Sequence, residues 1–135
     1  MALILPFLAT LVLGIMSVGT TFMNYLDLTE ATGAGAQYLQ SLRTNTSDPC
    51  ADTLTAVTQA APNLLTSTGN LQLSFNFNGT PEAAGTTSCV GDQKYLTSGT
   101  PVTVTATYPV NLQIYGVNFD PKGWKLSATV TEYEY

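Results

Sequence analysis

The sequence predicts an α+β protein: a long N-terminal hydrophobic α-helix, then a small C-terminal head with one short helix and a four-stranded antiparallel sheet. Three observations predict it. Met1 to Leu26 carry no charge, and Met1 to Val18 are almost wholly apolar. Apolar residues then recur at helical spacing from Leu28 to Leu42. From Leu71 onward their period changes to two.

At ~1.5 Å per residue the uncharged stretch makes a helix of about 39 Å, enough to cross a bilayer core of ~30 Å. It is hydrophobic on every face, unlike the surface helix of a soluble domain. Such a helix belongs in lipid, in a very large core or among copies of itself. A cleaved signal peptide fits poorly, because it needs a basic n-region and an apolar run of about 7–15 residues. Here the first basic residue is Arg43. The missing basic end is expected if a short charged leader has been removed and Met1 begins the processed chain. Pro6 lacks an amide donor, which is harmless in a first turn and kinks a helix if deeper.

Beyond Leu26 the residues Leu28, Ala31, Gly35, Tyr38, Leu39 and Leu42 alternate with Asp27, Glu30, Gln37 and Gln40, so the helix is expected over 1–43. Gly33 and Gly35 each cost a helix about 1 kcal/mol relative to Ala. Ala31, Gly33, Ala34, Gly35 and Ala36 therefore read as a small-residue contact face; the alternative is a hinge at Gly33–Gly35. The antiparallel sheet of the head is expected to pack on this helix and on the short one, while a helix of ~40 residues with no partner of its own in so small a domain is expected to have intermolecular partners.

The head, 44–135, opens with a Thr/Asn/Ser loop. Ser47 or Asp48 can cap a helix starting at Pro49, a residue suited to the first helical position. That helix is expected to end near Pro62 and to bury Leu54, Val57 and Ala61. Leu71, Leu73, Phe75 and Phe77 mark a first strand and Val102, Val104 and Ala106 a second. Val110–Phe119 is expected as a third, less regular around Gly116. Asp120-Pro121-Lys122-Gly123 is a turn signal. The last strand places Trp124, Leu126, Ala128 and Val130 on one face. Asn78 to Gly91 reads as turns.

Composition narrows the function. Only 10% of residues are charged, against ~25% in ordinary soluble domains. A net charge of −5 with four basic residues leaves no footprint for nucleic acid. Cys50 and Cys89 read as one disulfide in an exported chain, with two buried thiols as the alternative; with no histidine and no CxxC, a metal or redox site is a weak reading. The absence of histidine also removes Ser-His and Cys-His catalysis. Asp27 and Glu30 share a helix face and could pair as acid and base, but charges where a helix leaves an apolar environment explain them better. Glu132 and Glu134 suit a solvated sheet edge. Thr32-Gly33-Ala34-Gly35-Ala36 lacks the spacing of a phosphate loop. No enzyme, cofactor or small-molecule substrate is expected. Asn45-Thr46-Ser47 and Asn78-Gly79-Thr80 fit the N-glycosylation pattern, making Asn45 and Asn78 candidate acceptors. Tyr133 and Tyr135 read as exposed, as a subunit contact.

The stretch Met1-Ala2-Leu3-Ile4-Leu5-Pro6-Phe7-Leu8, followed by Leu11-Val12-Leu13-Gly14-Ile15, resembles the apolar opening of the TadE-like pilins and pseudopilins of tight-adherence (Flp-type) type IV pilus systems. Ala31, Ala34, Ala36 and Gln37-Tyr38-Leu39 resemble that family's helix extension. The resemblance covers the helix and none of the head. One departure is that the family pattern carries a Glu just ahead of the position matching Met1, whereas no acid precedes Asp27 here. The resemblance implies a pilin-like fold and a helix first held in the cytoplasmic membrane with the head outside. The assembly machinery would then extract that helix and pack it into the core of an extracellular homo-oligomeric filament. A heterologous, non-closing contact gives such an open helical polymer. Leu3, Pro6, Leu8, Leu11, Gly14, Ile15, Val18, Phe22, Gly33 and Gly35 are the residues expected to make helix contacts. The competing readings are a monomeric membrane-anchored adhesion domain and a membrane-associated viral coat protein.

Overall fold

Ile4–Leu42 form one unbroken helix, α1, in a computed structural model that describes residues 4–42, 45–64, 71–110, 113–114, 117–118 and 123–133. Pro6 lies within α1, which runs on unbroken past it. Gly33 and Gly35 do not break the helix, and no hinge forms there. Leu28, Ala31, Thr32, Gly35, Ala36 and Leu39 are buried, a single stripe repeating at three- and four-residue steps.

The expected small-residue face is thereby split. Ala31, Gly35 and Ala36 pack, whereas Ala34 is exposed and Gly33 half-exposed beside open space. A turn of about 100° per residue carries Gly33 and Ala34 to the far side of the helix. The partner of the packed face agrees with the expectation that the sheet packs on the long helix, and differs from the expectation that the small-residue face meets other molecules. It is the chain's own head.

The second helix, α2, spans Pro49–Ala60 with Asp48 as its cap, the Asp48 carboxylate accepting the Ala51 N–H at 3.1 Å. Cys50, Thr53 and Val57 are buried on its inner side, with Ala61 just beyond it and Leu54 partly buried. The strands are β1 (Gln72–Phe77), β2 (Thr80–Pro81), β3 (Pro101–Pro109), β4 (Gln113–Ile114), β5 (Val117–Asn118) and β6 (Lys125–Tyr133). The main sheet is antiparallel in the order β2-β1-β3-β6. Asn78 and Gly79, both at positive φ (51° and 85°), make the two-residue turn that folds β2 back on β1.

Two expectations about the sheet change. Among the described residues, 110–119 contributes no strand to it: β3 pairs directly with β6 along all nine residues, and β2 is the fourth strand. β4 and β5 instead pair with each other in a separate two-stranded piece. Asn111, Gly116 and Asn118 deprive this segment of the sustained alternation that a core-facing strand requires. Trp124, expected on the core face, is 63% exposed. It precedes β6 and lies just beyond the last rung of the ladder, Pro109–Lys125. Leu126 and Val130 are partly buried and Ala128 fully, as their alternation requires. Leu3, Arg43, Tyr135, Glu134 and Asp120-Pro121-Lys122 lie outside the described residues.

The core forms where α1 and α2 cover one sheet face. Leu73, Phe75 and Phe77 of β1 and Val102, Val104 and Ala106 of β3 meet Leu28, Ala31, Ala36 and Leu39 of α1. The rings of Phe75 and Phe77 stack with centroids 6.1 Å apart. Burying side chains such as Leu28, Leu39 and Phe75 contributes about 1.5–3 kcal/mol each. This core crosses the 43/44 boundary drawn from the sequence. The opposite sheet face is polar, with Thr103–Thr131 and Thr105–Thr129 hydroxyl pairs at 2.8 and 3.1 Å bridging β3 and β6.

The two neighbouring glycines should respond oppositely to alanine. A Cβ on Gly35 would overlap the Cγ2 methyl of Val57 and come within 3.3 Å of that of Thr53, both on α2. Overpacking of this kind costs about 1–3 kcal/mol, against a helix-propensity gain of about 1 kcal/mol. The Gly33 position is open, so only the gain applies there. Thermal unfolding in detergent is expected to show Gly33→Ala melting above the parent and Gly35→Ala below it.

Candidate functional site

α1 divides into two halves with opposite surroundings. From Leu28 to Leu39 its inner face belongs to the head. From Ile4 to Leu26 its large apolar side chains are exposed: Ile4, Leu5, Phe7, Leu8, Leu11, Ile15, Met16, Val18, Phe22 and Met23 are all more than half exposed. That segment rises about 34 Å at ~1.5 Å per residue, and its most apolar window has a mean hydropathy of 1.9 with none of it buried. α1 is thus long and apolar enough to be a membrane anchor or signal sequence. A contiguous apolar surface of this extent marks a protein or membrane interaction site.

The sparse polar side chains of this segment are largely satisfied within it. The Thr10 hydroxyl donates to the Phe7 carbonyl at 2.8 Å, and those of Thr20 and Thr21 donate to the Ser17 carbonyl at 2.9 and 3.1 Å. Hydroxyls bonded back to their own helix can enter an apolar medium without an unpaired donor. Gly14 and Gly19 leave a shallow groove on one side, walled by Leu11, Ile15, Val18 and Phe22. A Cβ at Gly14 would meet nothing within 4 Å in the chain.

The residues expected to make helix contacts therefore separate. Pro6, Leu8, Leu11, Gly14, Ile15, Val18 and Phe22 share the free half, while Gly35 is committed to α2 and Gly33 faces open space. The six-residue stripe from Leu28 to Leu39 was legible as helical periodicity, but no residue type in it distinguishes a partner in the same chain from one in another.

At the far end of the head, Cys50 and Cys89 form a disulfide with Cα atoms 5.4 Å apart. Asp48 organises its surroundings: Oδ1 accepts the N–H of Ala51 and of Cys89 (2.9 Å), and Oδ2 accepts the Ser88 hydroxyl (2.6 Å). One carboxylate thus caps α2 and holds the strand-to-loop segment carrying the second cysteine. Partial burial alone would raise the Asp48 pKa. The hydrogen bonds from Ser88 and from the amides of Cys89, Ala51 and Cys50 outweigh it and hold the carboxyl below its ordinary value. The two candidate glycan acceptors are both exposed, Asn45 in the loop before α2 and Asn78 at the β1–β2 turn. Asp27 is half-exposed and Glu30 exposed where α1 enters the head, and Tyr133 is exposed at the end of β6.

No protein-family model, curated protein or solved structure matches the chain.

Two measurements follow from the Asp48–disulfide node. Opening a loop that closes residues 39 positions apart removes about 3–4 kcal/mol in the chain-entropy account. Reductant should therefore lower the melting temperature of the head, and an unchanged value would reject a structural disulfide. Asp48 has a folded pKa below its unfolded one, so its contribution is complete above the ordinary carboxylate range and is lost as pH falls through the folded value. Unfolding followed from pH 6 down to about pH 2 is expected to show a destabilisation below about pH 4 that Asp48→Asn reduces.

Proposed function

We propose that the chain is a structural subunit of an extracellular filament of the TadE-like, type IV pilus kind, held in the cytoplasmic membrane by α1 before assembly. The observation that carries this reading is the free half of α1: an uncharged apolar rod, Ile4–Leu26, attached to a head that is already packed and disulfide-closed. A bilayer and a bundle of identical helices both remove that surface from water. The groove at Gly14 and Gly19 supplies a close-approach site for a neighbouring helix.

In this reading the partners are further copies of the chain, the membrane and the machinery that moves the helix between them. The head, with its polar outer sheet face, is the part presented to the exterior, where adhesion is the activity we assign. No catalytic step and no cofactor enter the proposal.

Electron microscopy of filaments sheared from producing cells, with intact-mass analysis of the subunit, tests it. Thin fibres built of this chain, two hydrogens light for the disulfide, are expected. Gly14→Leu should leave the melting temperature of the head unchanged, because nothing in the chain contacts that position, while filaments disappear or shorten. Protein confined to the membrane fraction, monomeric in detergent and without fibres, would replace the filament subunit with an anchored surface domain.

A further inference from the structure

The height at which the head sits on its membrane helix can be read from the two ends of β6. The Gln40 side-chain amide donates to the Tyr133 carbonyl at 2.8 Å, which pins the end of β6 beside the C-terminal end of α1. β6 is also packed against α1, so we take the strand to run back along the helix from that point. An extended strand from Tyr133 back to Lys125 spans about 26 Å at ~3.3 Å per residue. Laid along a helix rising ~1.5 Å per residue, that length reaches back roughly 17 residues from Gln40, to Met23–Asn24, and a few residues less if the strand is inclined. The start of β6 therefore lies level with the turn Asn24–Asp27, where the uncharged part of α1 ends.

Trp124 stands at that end, 63% exposed. Its carbonyl accepts the Val110 N–H at 3.1 Å, so its backbone is held by the sheet and its side chain is carried on a fixed support. Lys125, next to it, is exposed as well. Tyr25, 40% exposed, lies one turn before Leu28 on the side of α1 that faces the head. Trp, Tyr and Lys side chains suit the boundary between hydrocarbon and water, where an aromatic body meets acyl chains and the N–H, O–H or ammonium meets headgroups.

We infer that this end of the sheet rests on the headgroup layer of the bilayer that α1 enters, with Trp124 as an interfacial anchor flanked by Tyr25 and Lys125. The inference depends on the membrane-anchored state proposed above. It adds a fixed orientation: the Trp124 end of the sheet faces the lipid, and the Tyr133 end points away. Trp124 was placed on the core face by strand alternation, and its exposure at this height gives it a different use. A lysine beside it also suits anionic headgroups, within a chain whose net charge is −5.

Trp124 is the chain's single tryptophan, so its own fluorescence reports its depth. The full chain is reconstituted into vesicles of mixed phosphatidylcholine and phosphatidylglycerol carrying a nitroxide either on the headgroup or near the end of the acyl chain. A second protein, Trp124→Phe with Val12→Trp, reports the middle of α1. Val12→Trp emission is expected to lose more than half its intensity to the acyl-chain nitroxide. Trp124 emission is expected to be blue-shifted and to lose more than half its intensity to the headgroup nitroxide, with little response to the deep one. Quenching of Val12→Trp together with solvent-like, unquenched Trp124 overturns the interfacial contact and leaves the membrane helix standing. Unquenched emission from both positions overturns the membrane-anchored state and this inference with it.

Discussion

The close seating of α1 on α2 is the contact on which the rest of the molecule depends. Gly35 lets the two helices approach until the place of its missing side chain is taken by a methyl of Val57. That approach brings Leu28, Ala31, Ala36 and Leu39 down onto the sheet face made by Leu73, Phe75, Phe77, Val102 and Val104. The twelve residues of α2 could not cover that face alone. The head is therefore not a domain hung on a tether, because its core is completed by the helix that leaves it. What remains of α1 after this use is the part with no partner, and its length follows from where the seating begins.

That free part obeys a different balance. Its hydrophobic drive is nearly the same in a bilayer and in a bundle, since both exclude water. The choice between them must come from packing, and here the sequence offers shape rather than charge: no charged side chain occurs before Asp27, while Gly14 and Gly19 open a groove between Leu11, Ile15, Val18 and Phe22. Neighbouring helices in a filament would take their register from that groove. The back-bonded hydroxyls of Thr10, Thr20 and Thr21 fit the same economy, since they give the helix polar atoms without demanding external partners.

Much of the fold was legible in the sequence, for reasons that differ by element. α1 announces itself by uninterrupted apolar character, α2 by Asp48-Pro49 before a short periodic run, and β1, β3 and β6 by strict alternation. β2 was not legible, because two residues carry no period and Thr80-Pro81 reads as part of a turn. The segment 110–119 carries Val, Leu and Ile, which suggest a strand between the second and the last, whereas β3 pairs directly with β6. Trp124 was misplaced because alternation says which way a residue points and not where the covering layer stops. At the candidate site the free residues of α1 were identifiable by type. The division between Gly33 and Gly35 was not, because it depends on which side of the helix α2 occupies.

The bond from Gln40 to Tyr133 joins positions 93 residues apart. It has a consequence in time as well as in space. The helix leaves the ribosome before the strands of the head, and β6 after the other strands of the main sheet, yet the two pack together. Until β6 arrives, the part of α1 that β6 meets and the pairing edge of β3 remain open, so the head closes late and over a long loop, the kind of topology that folds slowly. In the membrane-anchored state proposed above, one end of the chain would be fixed through that delay, which would keep neighbouring unfinished heads from diffusing freely while their strand edges and apolar faces are most prone to aggregate.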